Sequence, residues 1–201
     1  MLNYRFIEGK SSRTIVLLHG TGGHFESLIP VGKQIDSEAN LISLQGDVIQ
    51  DGCYRFFKRY RHGEYDVNSI ISEGDKIIQT LHNIVVEHQL NDKELLFVGY
   101  SNGANMILSL LANGKIQPAG VVLFHPLYPH PYQEMAVDLK QTPIFTTMGR
   151  QDSEVPMIEN EFVLAQLEQV NADVTVMWTQ DHRLTQDEVN AAHDWWHPFT
   201  F

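Results

Sequence analysis

The sequence predicts an α/β protein with a mostly parallel central sheet of about six or seven strands and helices on both faces. Three observations lead there. Short apolar runs alternate with longer amphipathic ones along the whole chain. The short runs are rich in β-branched, leucine and aromatic residues and nearly continuous in hydrophobicity, as strands buried on both faces of a parallel sheet are. A serine bracketed by glycines, Gly99-Tyr100-Ser101-Asn102-Gly103, also joins one such run to a helix-forming stretch.

Residues 4–8 read as an edge strand, and 13–19 as the first buried strand, which runs directly into His19-Gly20-Thr21-Gly22-Gly23. A second buried strand follows at 41–44. Over 51–65, Arg55, Lys58, Arg59 and Arg61 interleave with Tyr54, Phe56, Phe57 and Tyr60. This stretch reads as a loop or short helix with its rings inward and its cations outward. The clearest helix is 67–89, where Ile70, Ile71, Ile77, Ile78, Leu81, Ile84 and Val85 form one apolar stripe. Strand and helix then alternate through 95–100, 102–112, 120–125, 143–148, 157–169, 174–179 and 185–196. Such alternation implies βαβ units with right-handed crossovers. Ligands of these sheets bind beyond the carboxyl ends of the strands, so chemistry is sought in the residues directly after each one.

The 201 residues suffice for one well-packed domain over 1–201, with no repeat or linker to divide it. Fourteen Lys and Arg against 25 Asp and Glu leave a net charge of −11, which argues against a nucleic-acid partner. No apolar run reaches the roughly 18 residues of a membrane span, and residues 1–9 lack the pattern of a secretory signal. Cys53 is the only cysteine, which excludes an internal disulfide and multi-cysteine zinc sites. A reducing, cytoplasmic setting is expected.

The Gly-x-Ser-x-Gly pattern between strand and helix is the context of a nucleophilic serine. A sharp turn pushes the Ser101 hydroxyl into the open, and the helix after it aims N–H groups at a developing oxyanion. The serine needs a base, and the base needs an orienting acid. Asp152 lies just past the strand at 143–148, and His182 just past the strand at 174–179. The competitors are Asp181 and Glu154 as acids and His125, after the strand at 120–125, as base. Asp181 adjoins His182 too closely in sequence to point at it. His125 reads better as a residue lining the site or bonding a loop carbonyl. The N–H groups of Thr21 and Asn102 complete an oxyanion hole, and the small residues around Gly22 let the backbone approach a substrate. His19 and His24 read as loop-fixing residues. His193 and His197 have the spacing of an H-E-x-x-H zinc motif, but Asp194 replaces its Glu, two Trp fill the turn and Pro198 follows at once. His125 and His130 lie in a Pro-rich loop with no adjacent carboxylate, so no metal and no cofactor is expected.

With these residues in hand, the chain resembles a serine hydrolase of the α/β-hydrolase superfamily. Within it, the resemblance is to the small carboxylesterase/phospholipase group that includes acyl-protein thioesterases and bacterial MhqD-type hydrolases. The matching segments are residues 19–23, 99–104 (Gly-Tyr-Ser-Asn-Gly-Ala), 149–156 (Gly-Arg-Gln-Asp-Ser-Glu-Val-Pro) and Asp181-His182. The stretch 51–65, with Gly63-Glu64-Tyr65-Asp66 at its end, resembles the family's segment near the acyl-binding site. The resemblance implies a compact α/β-hydrolase fold without a large cap. It implies a Ser101–Asp152–His182 triad, oxyanion donors Thr21 and Asn102, and a substrate pocket drawing on Gly22, Phe56, Phe57 and His125. The expected activity is hydrolysis of small to medium carboxylic esters by a monomer or homodimer. A thioesterase or lysophospholipase using the same triad is the alternative, and a non-catalytic ligand-binding hydrolase fold is a more distant one.

Overall fold

The computed structural model describes residues 1–61, 64–130, 134–135 and 137–199. Gly63 of the motif at 63–66 lies outside them. Elements follow in the order β1 (Tyr4–Ile7), β2 (Thr14–Leu18), α1 (Ile29–Ile35), β3 (Asn40–Leu44), β4 (Val48–Gln50), β5 (Cys53–Arg55), β6 (Arg59–Arg61) and β7 (Glu64–Tyr65). The chain continues through α2 (Val67–Glu87), β8 (Leu95–Tyr100), α3 (Asn102–Ala112), β9 (Gly120–Phe124), β10 (Pro143–Gly149), α4 (Met157–Gln169), β11 (Asp173–Thr179) and α5 (Gln186–Trp196).

Seven of these strands form one sheet in the order β1-β3-β2-β8-β9-β10-β11, parallel except for the antiparallel edge strand β1. Alternate side chains of each strand enter opposite cores. Val16, Leu18, Ile42 and Leu44 face the cluster covered by α2, α3 and α4. Ile15, Leu17 and Leu41 face the smaller cluster covered by α1 and α5. β11 is an edge strand with half-exposed residues, so it departs from the double burial expected of it. Helix α3 lies at the centre and every one of its residues is buried.

Three local expectations are corrected. The stripe on α2 is narrower than its sequence suggests, because Ile71 is exposed while Gly74 and Thr80 turn inward. Gly74 lets α2 approach Leu110 and Met106 of α3 closely. The seven-residue helix α1 is too short and too interrupted, by Pro30 and Gly32, to announce itself by periodicity. The stretch after β3 forms the hairpins β4–β5 and β6–β7, not a loop or short helix. Its side chains follow the expectation only in part: Phe56 and Phe57 are buried and Lys58 is exposed, but Tyr54 and Tyr60 face solvent and Arg55 is buried. No helix among the described residues is long and apolar enough to cross a membrane.

Candidate active site

The parallel strands deliver five residues to one edge of the sheet in spatial order: Thr21 after β2, Ser101 after β8, His125 after β9, Asp152 after β10 and His182 after β11. Ser101 occupies a turn with φ 50° and ψ −113°, a backbone conformation that non-glycine residues seldom adopt. Its neighbours make that turn possible. A Cβ at Gly103 would stand 2.0 Å from the Leu18 carbonyl oxygen, and one at Gly99 would meet Ala104 N and Ile107 Cδ1 at 2.7 Å. Only glycine lets β8, α3 and β2 come this close.

Ser101 Oγ lies 2.9 Å from His182 Nε2, and His182 Nδ1 lies 2.7 Å from Asp152 Oδ2. The other carboxylate oxygen of Asp152 accepts the N–H groups of Glu154 at 2.7 Å and Val155 at 3.0 Å. The Tyr100 hydroxyl donates to the His182 carbonyl at 3.0 Å and fixes the loop that carries the imidazole. Asp181 takes no part in this chain of contacts. Its carboxylate accepts the Arg183 guanidinium and N–H, which pull its pKa down to about 2.

Both oxyanion candidates border the cavity beside Ser101, and neither N–H has a partner among the described residues. His19 sets the loop that carries Thr21. Its Nδ1 donates to the Gly20 carbonyl at 2.7 Å and its Nε2 accepts the Gly46 N–H at 3.1 Å, a pairing that defines the tautomer. Burial, the larger influence, outweighs the Gly20 hydrogen bond and lowers its pKa, in keeping with this neutral, loop-fixing state. Gly22 does not line the cavity. With φ +78°, it donates its N–H to the Tyr54 carbonyl at 2.9 Å and ties the loop to the β4–β5 hairpin.

The cavity measures about 240 Å³. Among the described residues, its aliphatic lining side chains are Leu127 and Val155, and polar and charged groups make up most of the remainder. Phe56 and Phe57 are not among the lining residues. Both rings are buried in the core, Phe56 tilted against His19 and Phe57 edge-on to Tyr65. The chain leaves strand geometry after Arg55, so adjacency does not force one ring outward. Phe57→Ala therefore destabilises the fold by about 3–5 kcal/mol. In the fraction that stays folded, KM for acetate and medium-chain esters changes equally. A chain-length-dependent change in KM at unaltered melting temperature would return the ring to the pocket.

His125 borders the cavity and is fully buried. Its Nδ1 is 3.7 Å from Asp152 Oδ2, and its Nε2 is 2.7 Å from Glu188 Oε1. Glu188 was not anticipated, although Thr-x-x-Glu at 185–188 is a capping-box signature and the box is formed. Burial pushes the Glu188 carboxyl up, but His125, Thr147 and Thr185 together outweigh it and hold the group below the ordinary glutamate range. A carboxyl depressed by folding stabilises the protein above its unfolded pKa of about 4.3, and that contribution disappears as pH falls through the lower folded value. Glu188→Gln should accordingly flatten the decline of the urea midpoint between pH 5 and pH 3. Parallel declines in the two proteins would remove Glu188 as a source of acid sensitivity.

His125, Asp152 and His182 also present metal-capable atoms within 4.8 Å of one another. The 2.7 Å contact between His182 and Asp152 is shorter than the roughly 3.3 Å that two ligands keep around a tetrahedral ion at about 2.0–2.1 Å. The group suits proton transfer better than metal coordination. His130 bonds Ser109 Oγ at 2.8 Å and His193 contacts the Ile35 carbonyl at 2.9 Å, so neither of these two histidines is joined to a carboxylate among the described residues.

Comparison with known proteins shows the family of the chain and its fold. A family model described as Phospholipase/Carboxylesterase matches residues 6–197. The chain is 33% identical to MhqD of Bacillus subtilis (strain 168) over 196 residues, covering 97% of this chain and 98% of that protein. Among solved structures, the Bacillus cereus carboxylesterase superposes with a TM-score of 0.94 at 33% identity, covering 98% of this chain and 94% of that one. A structure of YahD with malic acid superposes with a TM-score of 0.92 at 27% identity, covering 97% of this chain and 98% of that one.

Proposed function

Because the chain belongs to the phospholipase/carboxylesterase family, we propose that it is a serine ester hydrolase cleaving small carboxylic esters through a covalent acyl-enzyme on Ser101. The observation that carries this reading is the continuous contact from Ser101 Oγ through His182 to Asp152, opening on a cavity. Ser101 Oγ attacks the ester carbonyl carbon while its proton passes to His182 Nε2. The carbonyl oxygen becomes an oxyanion held by the N–H groups of Thr21 and Asn102. Collapse breaks the bond to the alcohol oxygen, and the imidazolium returns its proton to that leaving group. Water then repeats the sequence on the acyl-enzyme, giving the carboxylic acid and regenerating Ser101. Asp152 holds the imidazole tautomer and stabilises its cation throughout.

Substrate size follows from the cavity. About 240 Å³ with two aliphatic lining residues suits a short, polar acyl or alcohol group better than a long hydrocarbon chain. This favours a carboxylesterase over a lysophospholipase or long-chain acyl thioesterase. The reading extends to one hydrolase domain over 1–201, acting in the cytoplasm, with the lone cysteine compatible with a reducing compartment. The test pairs turnover with labelling. The protein should hydrolyse 4-nitrophenyl acetate and take up one organophosphonate equivalent on the peptide containing Ser101, whereas Ser101→Ala should take up none. A labelled residue elsewhere would reassign the nucleophile.

A further inference from the structure

Arg55 is an unusual lining residue for this cavity. It ends β5, is 5% exposed, and its Nε has no hydrogen-bond partner. Arg59 lines the same cavity, and no ion pair holds either guanidinium among the described residues. A buried cation without a counter-charge is costly, and here a second cation adds repulsion. Burial first, and Arg59 next, disfavour the charged form of Arg55. Arginine nonetheless keeps its charge, so the desolvation is compensated only when an anion arrives.

The backbone that carries the guanidinium is also rigidly placed relative to the nucleophile's turn. Arg55 pairs with Val48 across the hairpin, and the next N–H, of Phe56, donates to Asn102 Oδ1 at 2.7 Å. Asn102 directly follows Ser101 and offers its own N–H beside it. A Cβ at Gly46 would stand 2.3 Å from the Arg55 carbonyl oxygen, so the loop after β3 presses on the same residue. One side chain therefore couples the cationic hairpin to the nucleophile's turn. In a chain of net charge −11, two arginines against the one carboxylate, Glu154, among the described lining residues leave the cavity net positive, a local reversal of sign that draws anions toward it.

We propose that Arg55 and Arg59 form an anion-binding subsite that selects small esters carrying a carboxylate, such as half-esters of dicarboxylic acids. The proposal rests on the hydrolase reading of Ser101 for its turnover and on the cavity alone for its binding. Planar guanidinium groups match a carboxylate with paired, charge-assisted hydrogen bonds. The small polar cavity would admit a short chain between that carboxylate and the ester carbonyl.

Two matched pairs test it. Monoethyl succinate against ethyl levulinate places the charge on the acyl side, and acetoxyacetate against 2-acetoxyacetamide places it on the alcohol side. In at least one pair, kcat/KM should favour the anion by roughly ten- to hundredfold, the range of charge-assisted hydrogen bonding. The charged-to-neutral ratio should fall at least tenfold in Arg55→Met, and also fall in the less buried Arg59→Met, which serves if Arg55→Met does not fold. Separately, succinate should raise the melting temperature of Ser101→Ala protein more than succinamide at equal ionic strength. Selective stabilisation by succinate with no turnover of any ester would uphold the subsite and overturn the hydrolase reading. Ester turnover with no charge preference, or a ratio unchanged in folded Arg55→Met and Arg59→Met, would overturn the subsite and leave the hydrolase intact.

Discussion

Ser101→Ala is expected to lower kcat on 4-nitrophenyl acetate by about 10⁴ to 10⁶, and His182→Ala by a similar factor. The two losses are alike because the contact at 2.9 Å makes the hydroxyl and the imidazole a single device. Without the base, the hydroxyl is a poor nucleophile at neutral pH, and without the hydroxyl the base has nothing to activate in the acylation step. The double variant should therefore lose little beyond either single one. Residual rate over the uncatalysed reaction should persist, since Thr21 and Asn102, the proposed oxyanion donors, still border the cavity. Losses that multiplied in the double variant would show two independent roles and remove the serine–histidine mechanism. A melting temperature within a few degrees of wild type would separate the kinetic loss from unfolding.

The site was legible where local pattern and topology coincide. Gly99 and Gly103 bracket Ser101 for a steric reason that the sequence already carries, and residues directly after β10 and β11 converge because parallel strands end on one side. Strand β8 and helices α3 and α4 have the bounds their apolar patterns suggest. The failures are equally physical. The β4–β5 hairpin turns on Asp51-Gly52, both at positive φ, and Asp-Gly between short apolar runs is itself a turn signal. Three-residue strands bury too little to show a period of two, so the signal was outweighed by the charge around it. That charge also misdirected Phe56 and Phe57. The pattern suggests cations outward and Phe56 and Phe57 at the pocket, whereas Arg55 lines the cavity and both rings are buried in the core. Glu188 lay hidden for a different reason. Its capping box is local, but its contact with His125 spans 63 residues and exists only once α5 packs on the sheet.

Asp152→Asn should cost about 10⁴ in kcat, somewhat less than loss of the base itself. The carboxylate accepts from His182 Nδ1 at 2.7 Å, so the imidazole carries its proton there and leaves Nε2 free to accept the serine proton. An asparagine side chain can satisfy the Glu154 and Val155 N–H groups through its carbonyl, at 2.7 and 3.0 Å in the native loop. Its NH₂ would then face His182 and select the opposite tautomer, with Nε2 protonated and unable to act as base. His125, whose Nδ1 lies 3.7 Å from the same Oδ2, faces the same change and gives the amide no reason to flip back. The variant should thus fold normally and fail chemically. Its pH profile carries the distinction. Wild-type kcat/KM rises from acid toward neutral pH and then levels, since the base must be neutral to accept a proton. With Nε2 protonated the imidazole no longer serves as the base, so the residual activity should climb with pH where the wild-type profile is level, and the near-neutral plateau should vanish. An Asp152→Asn enzyme that retained the wild-type plateau at reduced height would assign Asp152 to loop architecture and leave the orientation of His182 to Tyr100 and the His125–Glu188 pair.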